Sequence, residues 1–180
     1  MSADNIKKKV EDYVRSIPDF PKEGIIFRDV TTVLTDAEGL TLAVDELQKL
    51  LDGVECDVLA GLESRGFIFG MPIAYNMKKP FALVRKKGKL PCETVSQEYA
   101  LEYGTAEIEM HKDAIQPGQK VVIVDDLLAT GGTAEAAIKL VEKLGGTVTK
   151  VIFLIELVDL KGRDKLKGYD VGSVAVFEGE

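Results

Sequence analysis

The sequence predicts an α/β fold in which a mostly parallel, twisted sheet is flanked by helices. Three observations predict it. Short apolar runs recur along the chain and alternate with segments of helical period, the pattern of strand and helix in turn. The runs are apolar throughout rather than every second residue, as in strands covered on both faces. At 180 residues, 46% of them hydrophobic, the chain has enough apolar surface for one core and too little length for two.

Ile6, Val10, Tyr13, Val14 and Ile17 fall at helical spacing, which predicts an amphipathic helix over residues 4–16 that ends before Pro18. Turn residues follow at 19–24, and residues 25–30 form a short apolar stretch interrupted by Arg28 and Asp29. Leu40, Ala43, Val44, Leu47, Leu50 and Leu51 mark a second helix. A strand is expected at 57–60, a helix at 66–77, a strand at 80–85 and a buried strand at 121–124. Residues 134–144 carry Ala137, Ile138, Val141 and Leu144 on one helical face, stopped by Gly145 and Gly146. Strands at 148–157 and 171–177 complete the set. From Lys86 to Met110 there is no helical period, and Ile108 and Met110 alternate with Glu107 and Glu109 as in a one-sided, partly exposed strand. This segment, about 86–110, reads as a long flap on a β-ribbon stem, and such excursions are often lids. The whole of 1–180 reads as one domain.

No apolar run approaches the roughly 20 residues of a membrane span, and Lys7, Lys8 and Lys9 follow the start without an apolar signal stretch, so a cytoplasmic protein is expected. Cys56, Cys92 and the single His111 offer no zinc spacing and no Cys-His-Asn set. Cys56 reads as a small buried hydrophobe before a strand, His111 as an exposed strand-end residue. A net charge of −7 argues against broad nucleic-acid or membrane binding, though local positive charge could still hold a small anion. Simple dehydrogenase and kinase classes lack their glycine loops.

Parallel sheets bind ligands beyond the carboxyl ends of their strands. After 121–124 stand Asp125, Asp126, Leu127, Leu128, Ala129, Thr130, Gly131, Gly132 and Thr133. The two acids can accept hydrogen bonds from sugar hydroxyls or hold a hydrated Mg²⁺. The small-residue turn can offer backbone N–H groups at a helix N-terminus to a phosphate. Ribose carrying a 5-phosphate matches that order. The plain alternative is a solvated strand end followed by an ordinary N-capped turn. A receiver-type phosphorylation pocket also ends an apolar strand in acids, but such domains begin with that strand.

With the apolar strand before it, this stretch resembles the phosphoribosyl pyrophosphate signature of type I phosphoribosyltransferases. Phe20-Pro21-Lys22-Glu23-Gly24 leading to Phe27-Arg28-Asp29, Glu63-Ser64-Arg65-Gly66-Phe67, Arg85-Lys86-Lys87-Gly88-Lys89-Leu90-Pro91 and Leu101-Glu102-Tyr103-Gly104 resemble the branch that uses adenine. The resemblance implies that family's fold, with an N-terminal base-binding hood over about 1–35 and a flexible flap. It implies Mg²⁺-dependent transfer of the phosphoribosyl group from phosphoribosyl pyrophosphate to adenine, giving AMP and pyrophosphate, by a homodimer. Asp125 and Asp126 would serve the ribose, and Ala129, Thr130, Gly131, Gly132 and Thr133 the 5-phosphate. Ser64, Arg65 and Gly66, with Arg85 and Lys89 by position, would hold pyrophosphate, leaving Lys86 and Lys87 as solvated neighbours. Ile26, Phe27 and Arg28 would read the base and Leu127 would press on its other face. Glu102 and Tyr103 match the closing-loop pair, with Glu102 placed to manage a purine proton. No protein ligand to the metal is implied, since substrate and water hold it. Cys92 stands where glycine is expected after Leu-Pro. Ile68, Phe69 and Met71 fit a dimer contact beside the site loop. Hypoxanthine, xanthine or orotate is the next base to consider, and a non-catalytic regulator of this fold would need a DNA-binding domain for which there is no room.

Overall fold

The protein is described by a computed structural model covering residues 8–100 and 104–179. Of the helix expected over 4–16, residues 4–7 lie outside the described residues, and 8–16 form not a helix but a single 3-10 turn, Val10–Tyr13, followed by strand β1, Arg15–Pro18. Hydrophobic spacing misleads here because, while Tyr13 and Val14 pack against the core from its edge, only Val10 among the described residues of this stretch is fully buried. Beyond it the backbone pairs antiparallel with β2, Ile26–Asp29, in a register running from Arg15 opposite Asp29 to Pro18 opposite Ile26. Partners far along the chain satisfy the N–H groups that a helix would have used.

Asp29, at the end of this ribbon, is buried and accepts bonds from the Thr31 hydroxyl at 2.6 Å, its N–H at 2.9 Å and Arg15 at 2.5 Å. Thr31, then Arg15, lowers its carboxyl to a pKa of about 2. A short helix α1, Thr31–Leu34, leads to α2, Ala37–Lys49, capped by the Asp36 carboxylate on the N–H groups of Glu38 and Gly39.

The main sheet contains β3 (Val58–Leu62), β4 (Phe81–Lys86), β5 (Thr94–Ala100), β6 (Thr105–His111), β7 (Lys120–Leu128), β8 (Thr147–Leu157) and β9 (Val171–Phe177), in the order β5-β6-β4-β3-β7-β8-β9. The five strands from β4 to β9 across the sheet are parallel; β6 and β5 add antiparallel at one edge. Helix α3, Arg65–Met77, joins β3 to β4, and α4, Gly132–Lys143, joins β7 to β8.

Strand alternation explains the continuous apolar runs. Val121 and Ile123 pack with Ala137, Leu140 and Val141 of α4 on one face, while Val122 and Val124 pack with Phe69 and Ile73 of α3 on the other. Phe69 is therefore a core residue and not part of a dimer surface. Ile68 and Met71 remain exposed on α3, beside Tyr75 and with Leu83 on β4.

The flap's stem proves to be the continuation of the main sheet, through pairing of Arg85 with Glu109 and Lys86 with Ile108. Glu109 is buried rather than solvent-facing, because its carboxylate accepts the N–H groups of Lys89 and Leu90, each at 2.9 Å. Burial alone would raise its pKa, but the N–H groups of Leu90, Gly88 and Lys89 outweigh that and lower it. Cys92 adopts φ +66°, the left-handed backbone that glycine enters freely, which accounts for the glycine expected there. Cys56 is buried just before β3, and burial pushes its thiol up. His111 ends β6 half-buried, its Nε2 2.7 Å from the Pro91 carbonyl.

Candidate active site

The acids are not beyond the end of β7 but within it. Leu127 and Leu128 continue the strand against Ile155 and Glu156 of β8, whereas pairing with β3 stops at Val124. The β3 chain turns away at Glu63 and Ser64, which are joined by a cis peptide, and enters α3. Asp125 and Asp126 thus sit on a stretch of β7 that has lost one neighbour, and a cleft of about 380 Å³ opens there. Ser64, Arg65, Lys86, Tyr99, both acids, Leu127 and Thr133 line it.

Helix α3 starts hard against β7. A Cβ on Gly66 would stand 2.6 Å from the Val124 carbonyl oxygen, so only glycine allows this approach. It brings Arg65 to Asp126, whose carboxylate accepts from the guanidinium Nε in an ion pair. Asp126 is buried while Arg65 stays about half exposed. Burial, and then the Asp126 carboxylate beside it, push the Asp125 carboxyl well above the usual range.

Past Leu128 the chain forms a tight turn, with Gly131 at φ +79°, and enters α4 at Gly132. A smaller hollow of about 70 Å³ lies inside it, lined by residues 127–134 with Asp125 and Phe153. The first helical N–H groups have no intrahelical partners, and the helix dipole favours an anion there. All five residues expected at the 5-phosphate line this hollow.

A third hollow, about 340 Å³, lies under the β1–β2 ribbon between Phe20, Phe27, Arg28, Thr31 and Arg65. Phe20 and Phe27 meet edge to face at 5.3 Å and keep apolar surface exposed. The Arg28 side chain is committed elsewhere. It donates to Ser16 Oγ at 2.5 Å and to the carbonyls of Glu178 and Gly179 at 3.1 and 3.3 Å, and lies 4.6 Å from the centre of the Phe177 ring. Only its main chain is free to face a ligand. Ile26 is half-buried in β2 and does not line this hollow; Leu127 lines the other two.

Arg65 thus joins Asp125 and Asp126, with Ser64 and Gly66 on the same loop. Arg85 and Lys89 are not in the cleft. Arg85 donates to Glu63 at 3.3 Å and to the Lys89 carbonyl at 3.2 Å. The two-residue period of β4 puts Lys86, not Arg85, on the cleft side with Val84. The sequence reading makes Lys86 a solvated neighbour, whereas strand parity is the signal that places it in the cleft. Tyr99 was missed because β5 is half-buried along most of its length and shows no apolar alternation. Leu101, Glu102 and Tyr103 lie outside the described residues. Among the described residues no three His, Cys, Asp or Glu side chains are grouped to cage a metal ion.

Comparison with known proteins identifies relatives over nearly the whole chain. A phosphoribosyl transferase domain model matches residues 33–175. The adenine phosphoribosyltransferase of Butyrivibrio fibrisolvens is 69% identical over 96% of this chain and 96% of its own. The crystal structure of the Thermoanaerobacter pseudethanolicus enzyme of that name superposes with a TM-score of 0.90 at 55% identity, covering 93% of this chain and 98% of the other. The Saccharomyces cerevisiae one, solved with adenine and an imino-altritol bisphosphate, gives 0.86 at 39% identity over 92% and 96%. The chain belongs to the phosphoribosyltransferase family and, within it, to the adenine phosphoribosyltransferases.

Proposed function

We propose that the protein transfers the phosphoribosyl group of phosphoribosyl pyrophosphate to adenine, releasing pyrophosphate and forming AMP, with the three hollows as the 5-phosphate, ribose-pyrophosphate and base subsites. The observation that carries this reading is the place of Arg65, which lines both the central cleft and the hollow under the hood. A leaving group held there faces a base entering from the hood across the same sugar carbon.

In the reaction the bond from the anomeric carbon to pyrophosphate breaks and a bond to a purine nitrogen forms, with positive charge growing on the sugar. Asp125 and Asp126 stand where ribose hydroxyls would lie and favour that charge electrostatically. The Ala129–Thr133 turn fixes the 5-phosphate, and Ser64, Arg65, Gly66 and Lys86 receive the leaving group. Arg85, on β4, and Lys89, on the turn after it, sit beside them, and Arg85 reaches pyrophosphate only by releasing Glu63. The main chain of Phe27 and Arg28 reads the base edge, with Ile26 beside them in the ribbon but outside the hollow, and the Phe27 ring covers one face; Leu127, which lines the central cleft, meets the base only where it reaches over the ribose. Glu102, with Tyr103, takes the proton that adenine loses as the flap closes. Closure excludes water, which would hydrolyse the activated sugar.

The donor set suits a hydrated divalent ion brought in on substrate oxygens: Asp126 is engaged by Arg65 and burial disfavours charge on Asp125, so substrate oxygens and water would be its hard ligands. Held with the substrate in this way, Mg²⁺ would supply charge neutralisation for the leaving pyrophosphate. The exposed Ile68, Met71, Tyr75 and Leu83 suit a homodimer contact, and two free thiols suit the reducing cytoplasm. Turnover with adenine, hypoxanthine, guanine, xanthine and orotate, each with phosphoribosyl pyrophosphate and Mg²⁺, tests the reading. Adenine should be used far the best; equal or better use of another base would reject the specificity.

A further inference from the structure

The 5-phosphate turn is supported from behind by residues that touch no part of the cleft. A Cβ on Gly131 would collide with the Gly162 carbonyl oxygen, and one on Gly162 would collide with the Ala129 carbonyl oxygen and stand 2.7 Å from Leu128 Cδ1. The two backbones therefore rest on each other more closely than any side chain allows. Gly162 opens the 3-10 turn Gly162–Leu166, whose far end is pinned by buried Leu166.

What fixes Gly162 is its neighbour. Arg163 donates from Nε and Nη2 to the two carboxylate oxygens of Glu156, both at 2.6 Å, and from Nη1 to the Val171 carbonyl at 2.8 Å. Ser173 Oγ donates to Glu156 Oε2 at 2.6 Å. Glu156 is buried, and in the β7–β8 register it stands opposite Leu128, the last strand residue before the turn. The Arg163 guanidinium holds its carboxyl below the usual range despite burial, so the pair is charged at neutral pH. A two-pronged arginine–carboxylate pair of this kind fixes orientation as well as distance. Loss of either partner leaves the other half-satisfied, and Gly162 is then free to move away from the turn.

We infer that Glu156, Arg163 and Ser173 are positioning residues for the 5-phosphate, acting through Gly162 to hold the backbone of residues 129–131 in place. The inference rests on the reading of that turn as the phosphate subsite. It is tested by calorimetric titration of Arg163→Lys, Arg163→Met, Gly162→Ala and Thr133→Val with AMP and, separately, with adenine, alongside thermal melts. Arg163→Met and Gly162→Ala should weaken AMP by about 10- to 100-fold, the scale of an ångström of misplacement. Arg163→Lys, which keeps the charge and loses the fork, should fall between them and the wild type. Adenine affinity should stay within about twofold, since the hood is untouched; a merely structural role would lower melting temperature without moving the AMP-to-adenine ratio. Folded Arg163→Lys and Gly162→Ala proteins that bind AMP like the wild type, variants that lose AMP and adenine equally, or failure of every variant to fold would each overturn it. Thr133→Val separates the two levels. If it weakens AMP while the Arg163 and Gly162 variants do not, the phosphate turn stands and the support does not; if it leaves AMP unchanged, the turn is wrongly assigned and this inference falls with it.

Discussion

The phosphate half and the base half of the site are built in different ways. The phosphate half grows out of the middle of the sheet: β7 is flanked on both sides by parallel strands, and its turn is wedged between backbone groups with no room for a Cβ at Gly66, Gly131 or Gly162. The base half is a two-stranded ribbon outside the main sheet, tied within itself by Asp29 to Arg15 and Thr31, anchored at its flanks by buried Val10, Val30 and Val33, and joined to the end of the chain by Arg28 on the carbonyls of 178–179. A subsite set by packed backbone tolerates little change in position. One held by a few polar ties can shift, and its ligand is gripped chiefly by aromatic surface. The two halves should therefore answer to different mutations.

The largest expected effect is in the phosphate half. Asp125→Asn combined with Asp126→Asn keeps size and removes a carboxyl oxygen acceptor at each position, each bond worth roughly 1.5–3 kcal/mol, so kcat/KM should fall roughly 10²- to 10⁴-fold in a folded protein. Wild-type efficiency would remove the acids from the ribose site. Next, Phe27→Ala strips the apolar cover from the base; at about 1–3 kcal/mol for aromatic–base stacking, the KM for adenine should rise about 5- to 150-fold. A rise confined to phosphoribosyl pyrophosphate would reverse the assignment of the halves.

A smaller effect concerns the tie within the hood. Asp29→Asn should cost roughly 1.5 kcal/mol at pH 7, about 3–6 °C in Tm for a chain of this size. The folded carboxyl titrates near 2, below its unfolded value, so its contribution is complete above about pH 4 and disappears as pH falls through about 2. Melts of both proteins across that range should converge at the acid end; a constant gap would show that Asp29 acts without its charge. Smallest of all, Cys92→Gly relieves a left-handed residue costing about 1 kcal/mol and adds a similar entropy to the unfolded chain, so Tm should barely move.

The same contrast governs what could be read in the sequence. The phosphate half was legible because a doubly covered strand is apolar residue after residue, as at Val121–Val124, and because acids, small residues and a helix follow within nine positions. The hood was not. Val10, Tyr13 and Val14 keep helical spacing while the chain actually turns once and then pairs with Ile26–Asp29, a choice made by distant residues. Arg28 is expected to face the base through its main chain, and nothing in the sequence shows where its side chain goes, to Phe177 and the carbonyls beyond it, about 150 residues away. Gly162 and Arg163 carried no local signal, because their importance lies in what they touch at Ala129, Gly131 and Glu156. Strand parity at Val84, Arg85 and Lys86 was available, and it selects Lys86 for the cleft.

Titrating two variants with two ligands tests the separation of the halves most directly. Thr133→Val should weaken phosphoribosyl pyrophosphate about 10- to 150-fold through loss of a hydroxyl donor to a charged group, with adenine affinity unchanged, while Phe27→Ala should do the reverse. If each variant weakened both ligands by the same factor, the phosphate and base halves would not be independent and the assignment of the hollows would be wrong.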